Sequence, residues 1–296
     1  MNLTDLSVIR DVMNRHGISF QKQFGQNFLT NAAIPQKIAE AALEGITGDR
    51  YVLEIGPGIG CLTAQLCQRA DRVVALEIDR GLIPVLGETL SEYDNFTLYN
   101  SDALKTDLTE LSKHDFDGKP VLVCANLPYN ITTPILMHLL TSGMPIRRIT
   151  VMVQKEVADR FCAAPGSDAY GAVTAILSYY GRAAKLFPVS AGNFTPRPKV
   201  DSAVMQVDMY SRKPCFPQDE SFLFEVIRAA FGQRRKTLSN ALSGTLRGLS
   251  KEQIQKAISD CGLPETVRGE TLSVAEFSDL SDALLLEKNK NHINIE

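Results

Sequence analysis

Short apolar runs alternate with segments of helical period along the first two thirds of the chain. The runs lie at residues 51–55, 72–79, 96–99, 121–125 and 149–153. Nearly continuous apolar runs of this kind are typical of strands that helices cover on both faces of a parallel sheet. The pattern therefore predicts an α/β domain with a doubly wound sheet and helices on both faces, over residues 1–210.

Beyond residue 210 the pattern changes to helices alone. After a proline-containing linker, apolar residues recur at helical spacing through residues 222–231, 236–246, 250–261 and 273–287. Two of these segments begin with the spacing of a capping box, at Ser250 and at Ser273. We expect a small all-helical domain over residues 211–296, with a frayed polar end.

The amino-terminal residues predict a helix and then a loop. Apolar residues recur at helical spacing over residues 6–13, and Gly17 follows as a stop signal. Residues 20–29 are rich in amides and aromatic rings but have no clear period. This composition indicates a loop that packs over another part of the protein.

Composition narrows the class of protein only slightly. The 296 residues are 44% hydrophobic and 22% charged, and they contain neither an apolar stretch long enough to span a bilayer nor a signal peptide. We therefore expect a cytoplasmic protein. The net charge of −3 argues against a protein coated in positive charge, although a local basic patch is compatible with it.

Cysteine and histidine positions do not indicate a metal site. The six cysteines form no Cys-x-x-Cys pair, and none of the four histidines lies at metal-ligand spacing from another histidine or from a cysteine. We expect reduced, structural thiols and no metal.

Polar or flexible residues follow the predicted strands at the point where each strand ends. Glycines occupy positions 56, 58 and 60 after the first strand, and Glu77, Asp102 and Asn126 end later ones. Open α/β sheets bind their ligands at the carboxyl ends of the strands. Glu77 also lies 21 residues after Gly56, close to the offset at which a carboxylate meets ribose hydroxyls in dinucleotide sites.

The tetrapeptide Asn126-Leu127-Pro128-Tyr129 combines an amide, a bend and an aromatic ring. The amide can both donate and accept hydrogen bonds, and the ring offers a stacking face, so the motif suits a flat, polar substrate. Asn and Pro also favour ordinary turns, and a structural turn is the alternative interpretation.

Two of these motifs resemble parts of known enzymes. Gly-x-Gly-x-Gly at positions 56–60, preceded by Glu54 on the strand, resembles the first motif of Rossmann-like methyltransferases that bind S-adenosylmethionine. The Asn126 tetrapeptide resembles the motif of methyltransferases that act on exocyclic amino groups. An aromatic amine is a poor nucleophile, because its lone pair is delocalised into the ring. Hydrogen-bond acceptors at Asn126 and Leu127 would favour a more tetrahedral nitrogen.

Further candidate contacts to nucleic acid lie in two segments. Phe194 precedes the stiff stretch Thr-Pro-Arg-Pro-Lys, with the cations Arg197 and Lys199. A lone Phe is more often a core residue, but this setting favours a second stacking surface beside phosphate contacts. The dense basic run Arg234-Arg235-Lys236 is either a solvated face or part of an RNA-binding surface.

Seven motifs together resemble the ribosomal RNA adenine dimethyltransferase family, and within it the bacterial type that modifies small-subunit RNA. They start at residues 23, 54, 75, 101, 126, 194 and 231, and the resemblance runs from about residue 20 to about residue 280. It implies a Rossmann-like catalytic domain at residues 1–210 that binds S-adenosyl-L-methionine, and an RNA-binding helical domain at residues 211–296. The cofactor contacts carried over from the family are Asn27, Leu29, Gly56, Glu77, Asp102 and Asn126.

The resemblance also implies the reaction and the partner. Members transfer two methyl groups to N6 of each of two adjacent adenosines near the 3′ end of 16S rRNA, during assembly of the small subunit. The residues expected at the reacting base are Asn126, Leu127, Pro128, Tyr129 and Phe194. We expect a monomer whose partner is 16S rRNA in a small-subunit precursor.

Two alternatives stay open. An Erm-type methyltransferase of 23S rRNA shares the main motifs, although the segment after Phe194 and the helical tail favour the small-subunit enzyme. A non-catalytic RNA-binding assembly or transcription factor could use the same fold, although intact cofactor and Asn126 motifs argue against a loss of catalysis.

Overall fold

The computed structural model describes residues 1–18 and 27–293. Most of the loop expected at residues 20–29 therefore lies outside the described residues. The chain divides into two compact units, one formed by Met1–Ala158 and Ala183–Met209, the other by Asp159–Arg182 and Tyr210–Glu296. The second unit thus includes residues 159–182, which a single boundary at residue 210 assigns to the first. Within the described ranges, no helix is long and apolar enough to cross a bilayer.

A seven-stranded sheet forms the centre of the first unit. Its strands, in chain order, are β2 (Tyr51–Ile55), β3 (Arg72–Glu77), β4 (Phe96–Asn100), β5 (Val121–Asn126), β6 (Ile146–Gln154), β7 (Gly181–Val189) and β9 (Ser202–Met209). They lie side by side in the order β4-β3-β2-β5-β6-β9-β7. The pairs from β4 to β6 are parallel, and β9 runs antiparallel to β6. The doubly wound fold class is confirmed, and each strand predicted from an apolar run is present.

Helices complete the first unit. They are α1 (Leu6–Arg15), α2 (Ala33–Leu43), α3 (Cys61–Cys67), α4 (Leu82–Thr89), α5 (Leu108–Phe116), α6 (Thr132–Thr141) and α7 (Lys155–Phe161), of which α7 continues into the second unit. The sequence pattern did not predict α5, because its apolar positions are sparse. The Asp107 side chain caps this helix by accepting hydrogen bonds from the amides of Thr109 and Glu110.

A two-stranded ribbon was also absent from the predictions. β1 (Phe28–Leu29) pairs antiparallel with β8 (Phe194–Thr195), so that Leu29 lies opposite Phe194. Two-residue strands have too few positions to show an alternating pattern, and the two strands are far apart in the sequence.

The second unit is helical apart from the first residues of β7. Its remaining helices are α8 (Ala172–Tyr180), α9 (Glu220–Gly232), α10 (Leu238–Ser243), α11 (Lys251–Asp260) and α12 (Val274–Ile293). Both predicted capping boxes are present. Ser250 and Gln253 exchange hydrogen bonds, as do Ser273 and Glu276.

The turn between β2 and α3 requires glycine at one position for a clear steric reason. Gly60 has φ of +95°, and a Cβ there would lie 3.1 Å from the Leu90 side chain. Gly87, inside α4, is exposed and has nothing within 4 Å of such a Cβ. The two glycines thus have opposite roles, one required by backbone geometry and one merely tolerated.

We expect Gly60→Ala and Gly87→Ala to change stability in opposite directions. The first should lower the free energy of unfolding by about 1–3 kcal/mol through backbone strain and crowding. The second should raise it by about 0.5–1 kcal/mol, because alanine is the better helix former. Urea denaturation of both variants measures the difference, and an equal effect of the two substitutions would contradict the assignment.

Candidate active site

The strand order reverses between β2 and β5, and a cavity lies at this switch point. From β2 the chain continues to β3 and β4 on one side, whereas β5 and β6 lie on the other. The loops that follow β2 and β5 therefore diverge and leave a crevice. The cavity has a volume of about 250 Å³. The predicted site residues that line it are Asn27, Leu29, Gly56, Glu77, Asp102, Asn126, Leu127, Pro128 and Tyr129.

Glu77 is a buried carboxylate at the end of β3. It is 5% exposed; its Oε1 accepts a hydrogen bond from the Asp79 amide at 2.8 Å, and Oε2 lies 3.4 Å from the Gly58 amide nitrogen. Burial raises the pKa of Glu77 to about 6, against the lowering effect of these amides. The glycine turn therefore holds this acceptor at the cavity wall, where vicinal hydroxyls of a sugar could donate to it.

Glu54 is a second buried carboxylate on the cavity wall. It is 1% exposed, and its Oε2 has no hydrogen-bond partner among the described residues. Burial raises the pKa of Glu54 to about 8. A buried carboxyl group with this raised pKa becomes a carboxylate at neutral pH only when a positive group lies beside it. This orphaned acceptor and the nearby Glu77 fit a ligand that carries both a cationic group and a ribose, as S-adenosylmethionine does.

The third acidic strand end is more open. Asp102 follows β4, is half-buried, and accepts a hydrogen bond from the Leu104 amide through Oδ1 at 3.0 Å. Lys105 lies 3.8 Å from its Oδ2. The apolar Ile78 also lines the cavity and is 50% exposed, so this part of the wall offers one carboxylate beside an apolar surface.

The Asn126 turn follows the buried strand β5, and its last residue, Tyr129, makes a polar contact. The Leu127 amide donates to the Met152 carbonyl of β6 at 3.1 Å, and the Leu127 side chain is 1% exposed. The Pro128 carbonyl accepts from the Thr132 hydroxyl at 3.1 Å. The Tyr129 hydroxyl lies 2.7 Å from Ser202 Oγ. These contacts fix the backbone while the half-buried Asn126 amide and Tyr129 ring line the cavity.

Phe194 is not brought to the cavity. Its side chain is 4% exposed and belongs to the hydrophobic core of the first unit, together with Leu29 and Val204. A stacking surface for a base requires an open ring face. The predicted stacking role therefore requires the Phe194 ring to leave the core, and it stays a prediction.

The predicted RNA-binding residues differ in their surroundings. Arg197 and Lys199 are exposed in the first unit. In the second unit Arg234, Arg235 and Lys236 are also exposed, but Arg234 is held by hydrogen bonds. Its Nε lies 2.7 Å from Glu270 Oε2, and its Nη2 donates to the Asp168 carbonyl at 2.7 Å. Arg234 therefore ties segments of the helical unit together, while its neighbours are available to a polyanion.

Two further candidate residues, Glu54 and Ser202, have only weak signals in the sequence. Glu54 entered as the acid before the glycine turn, and a charged residue within a buried apolar run is the signal that marks it as functional. Ser202 lies within the motif that starts at residue 194, but a serine at the start of a strand indicates no particular role. The cysteines are free thiols, and no group of three or more His, Cys, Asp or Glu side chains in the described ranges could hold a metal ion.

The sheet order, the glycine turn and the buried carboxylates at the switch point define a Rossmann-like methyltransferase that uses S-adenosylmethionine. Comparison with known families narrows this class. A family model described as Ribosomal RNA adenine dimethylase matches residues 17–285. The chain therefore belongs to the ribosomal RNA adenine dimethylase family.

Individual relatives agree with this family. The chain is 48% identical to a ribosomal RNA small subunit methyltransferase A of Lachnoclostridium phytofermentans, over 93% of this chain and 94% of the relative. A dimethyladenosine transferase from Plasmodium falciparum has a similar crystal structure, with a TM-score of 0.72, 26% identity, and coverage of 89% of this chain and 98% of that one. The 23S rRNA methyltransferase ErmE is also similar, with a TM-score of 0.67, 25% identity, and coverage of 87% and 99%.

The raised pKa of Glu77 predicts a pH dependence of cofactor binding. A carboxylate that accepts two ribose hydroxyls binds better than the protonated acid, so affinity for S-adenosylmethionine should fall by up to tenfold per pH unit below the pKa of about 6. Calorimetric titration with S-adenosylmethionine between pH 5 and pH 7 measures this affinity, over about one pH unit on either side of the pKa of Glu77. Glu77→Gln should bind weakly and without this decline, and the same decline in the variant would contradict the role of Glu77.

The different surroundings of Arg234 and Arg235 predict different defects. Arg234→Ala should lower the free energy of unfolding by about 1 kcal/mol, because it removes charge-assisted hydrogen bonds. Arg235→Ala should leave stability within about 0.5 kcal/mol and weaken binding to ribosomal RNA. Thermal unfolding and a filter-binding assay separate the two effects. If both variants lost the same stability, Arg234 would not have this structural role.

Proposed function

We propose that this enzyme transfers methyl groups from S-adenosylmethionine to N6 of two adjacent adenosines near the 3′ end of 16S rRNA, giving N6,N6-dimethyladenosine during small-subunit assembly. The observation that carries the proposal is the Asn126 turn, which lies in the same cavity as Glu54, Glu77 and Asp102. One cavity thus combines groups suited to the cofactor with groups suited to an aromatic amine.

The cofactor residues divide by chemistry. Glu77 would accept hydrogen bonds from the ribose hydroxyls, and Asp102 would accept one from the amine of the cofactor's adenine, beside the apolar side chain of Ile78. Asn27 and Leu29 line the cavity, and the Gly56 turn brings backbone close to the ligand. When bound here, S-adenosylmethionine supplies a methyl group activated by the positive charge on sulfur.

The Asn126 turn prepares the target amine. The Asn126 side-chain oxygen and the Leu127 carbonyl accept the two hydrogens of N6, which favours a tetrahedral nitrogen and directs its lone pair at the methyl carbon. Tyr129 stacks on the base and holds it in the cavity. A strong base would not be required: the N–CH3 bond would form as the S–CH3 bond breaks and S-adenosylhomocysteine leaves, and the methylated nitrogen would then lose a proton to water.

The target adenine must leave the RNA stack to reach the cavity. An amine held within a helix is inaccessible, so the enzyme requires a single-stranded or extruded base, and loops and ends of RNA provide one. In the first unit the exposed cations Arg197 and Lys199 contact phosphates of the RNA, and in the second unit Arg235 and Lys236 provide separate phosphate contacts. Phe194 is the proposed second stacking surface, if its ring leaves the core.

The small subunit is a better candidate than the large one. Identity to the small-subunit relative is 48% over nearly the whole length, whereas identity to the 23S rRNA enzyme ErmE is 25%. We further propose that the enzyme acts in the cytoplasm as a monomer on a small-subunit precursor. A factor without catalysis is less consistent with the cavity, since the buried Glu54, whose Oε2 has no hydrogen-bond partner among the described residues, and the Asn126 turn line it together.

Incubation with labelled S-adenosylmethionine and unmethylated 30S subunits tests this function. Nucleoside analysis should show N6,N6-dimethyladenosine in 16S rRNA. Its absence, or its appearance only in 23S rRNA from 50S subunits, would refute the proposal.

In the same assay Asn126→Ala should lower kcat by about 100-fold or more, because it removes an acceptor that acts on the reacting amine. Binding of the subunit should stay within about twofold, since phosphate contacts dominate affinity. Asn240→Ala, at an exposed amide of the helical unit, is the matched control and should keep full activity. Full activity of the Asn126 variant would exclude the role assigned to this residue.

A further inference from the structure

One hydrogen bond connects the Asn126 turn to a strand that carries no assigned functional residue. The Tyr129 hydroxyl lies 2.7 Å from Oγ of Ser202, the first residue of β9. Ser202 is 0% exposed, whereas Tyr129 is half-buried and its ring lines the cavity. The tip of a cavity-lining ring is therefore tied to a fully buried hydroxyl.

The turn is consequently held at both ends by the same pair of strands. Near its start, the Leu127 amide donates to the Met152 carbonyl of β6. Met152 lies opposite Val204 of β9, two residues from Ser202. The backbone of the turn and the Tyr129 hydroxyl are thus held by one antiparallel pair of strands, while the Asn126 amide and the Tyr129 ring line the cavity.

Ser202 is itself fixed more firmly than Tyr129. It lies opposite Gln154 in the β6–β9 pairing, and the Lys155 amide donates to the neighbouring Asp201 carbonyl at 3.0 Å. The Asp201 side chain accepts a hydrogen bond from the Ala191 amide at 2.8 Å. Because these contacts fix Ser202, the hydrogen bond with Ser202 determines the position of the Tyr129 hydroxyl.

The hydrogen bond between Tyr129 and Ser202 is favoured energetically. A buried hydroxyl that loses its partner keeps the cost of its lost hydration, so breaking the contact leaves Ser202 Oγ unsatisfied. A tyrosine ring without such a tie samples a range of tilts about its terminal torsion, which is broad. The contact with Ser202 therefore selects one tilt of the stacking surface.

We propose that Ser202 is a positioning residue for methyl transfer, which acts through the Tyr129 hydroxyl to set the angle at which the base meets Asn126. This inference rests on the proposed function. It applies most strongly to the second transfer. An N6-monomethyl adenine has one amine hydrogen left for the acceptors of the turn, so its alignment depends more on the stacking surface.

A double-mutant cycle tests the proposal on 30S subunits with labelled S-adenosylmethionine. Ser202→Ala and Tyr129→Phe should each lower kcat by about three- to tenfold, the range of one hydrogen bond, while KM for the subunit stays within about twofold. Both should raise the ratio of monomethyl to dimethyl product. The double variant should be no slower than the slower single variant, because the two substitutions remove the same contact.

The matched control is Thr150→Val. Thr150 is a buried hydroxyl on β6 whose Oγ1 lies 3.3 Å from Gln206 Oε1, and it does not line the cavity. Its loss should leave the product ratio unchanged. If Ser202→Ala fails to fold, Tyr129→Phe alone carries the kinetic test. Multiplicative losses in the double variant, or an unchanged product ratio, would overturn the proposal.

A second measurement separates this inference from the proposed function. In protein with 13C-labelled tyrosine rings, the Tyr129 signal should show one ordered environment, which Ser202→Ala should broaden or shift and Thr150→Val should not. If the wild-type enzyme methylates no adenine but the Tyr129 signal responds to Ser202, the proposed function fails while the tie stands. If the Tyr129 signal is the same in wild type and in Ser202→Ala, the positioning role is refuted whatever the enzyme methylates.

Discussion

The parallel pairing of β2 with β5 is the constraint on which the site depends. Tyr51 lies opposite Val121 and Glu54 opposite Cys124, so the two strands end side by side. In this register the glycine turn and the Asn126 turn leave the same edge of the sheet. A slip of β2 by one residue would move Glu54 and every core side chain of this strand to the other face of the sheet. The buried apolar side chains of both strands, such as Val52 and Val123, therefore fix the positions of the glycine turn and the Asn126 turn at this edge.

The carboxylates at this edge are held in an unfavourable environment. Burial raises the pKa of Glu77 to about 6 and that of Glu54 to about 8, both above the ordinary value of 4.5. An acid whose pKa is raised by folding binds protons more tightly in the folded state, so the stability of the ligand-free protein falls as pH rises through this interval. A cationic, hydroxyl-bearing ligand reverses both effects. The fold thus gives up stability at the edge of the sheet that lines the cavity.

The apolar patterning allowed the sheet and most helices to be predicted, because buried strands and amphipathic helices have distinct periods. The strand-end residues Glu77, Asp102 and Asn126 could be grouped from sequence for the same reason, since parallel strands end at one edge. Contacts between distant segments could not be predicted. The tie from Tyr129 to Ser202 and the engagement of Arg234 with Glu270 depend on tertiary packing, and no local pattern carries them.

Phe194 shows how a recognised motif can have a different physical role from the one its chemistry suggests. Its ring is buried, and its backbone pairs with Leu29, which lines the cavity. The Thr30 amide donates to the Asn193 carbonyl at 2.8 Å and extends this ribbon. Even with the ring in the core, the segment around Phe194 supports the cavity wall at Leu29. The Asp201 side chain holds the turn before Phe194, and the adjacent Ser202 holds Tyr129. Residues 201 and 202, at the start of β9, thereby contact both the turn before Phe194 and the Asn126 turn.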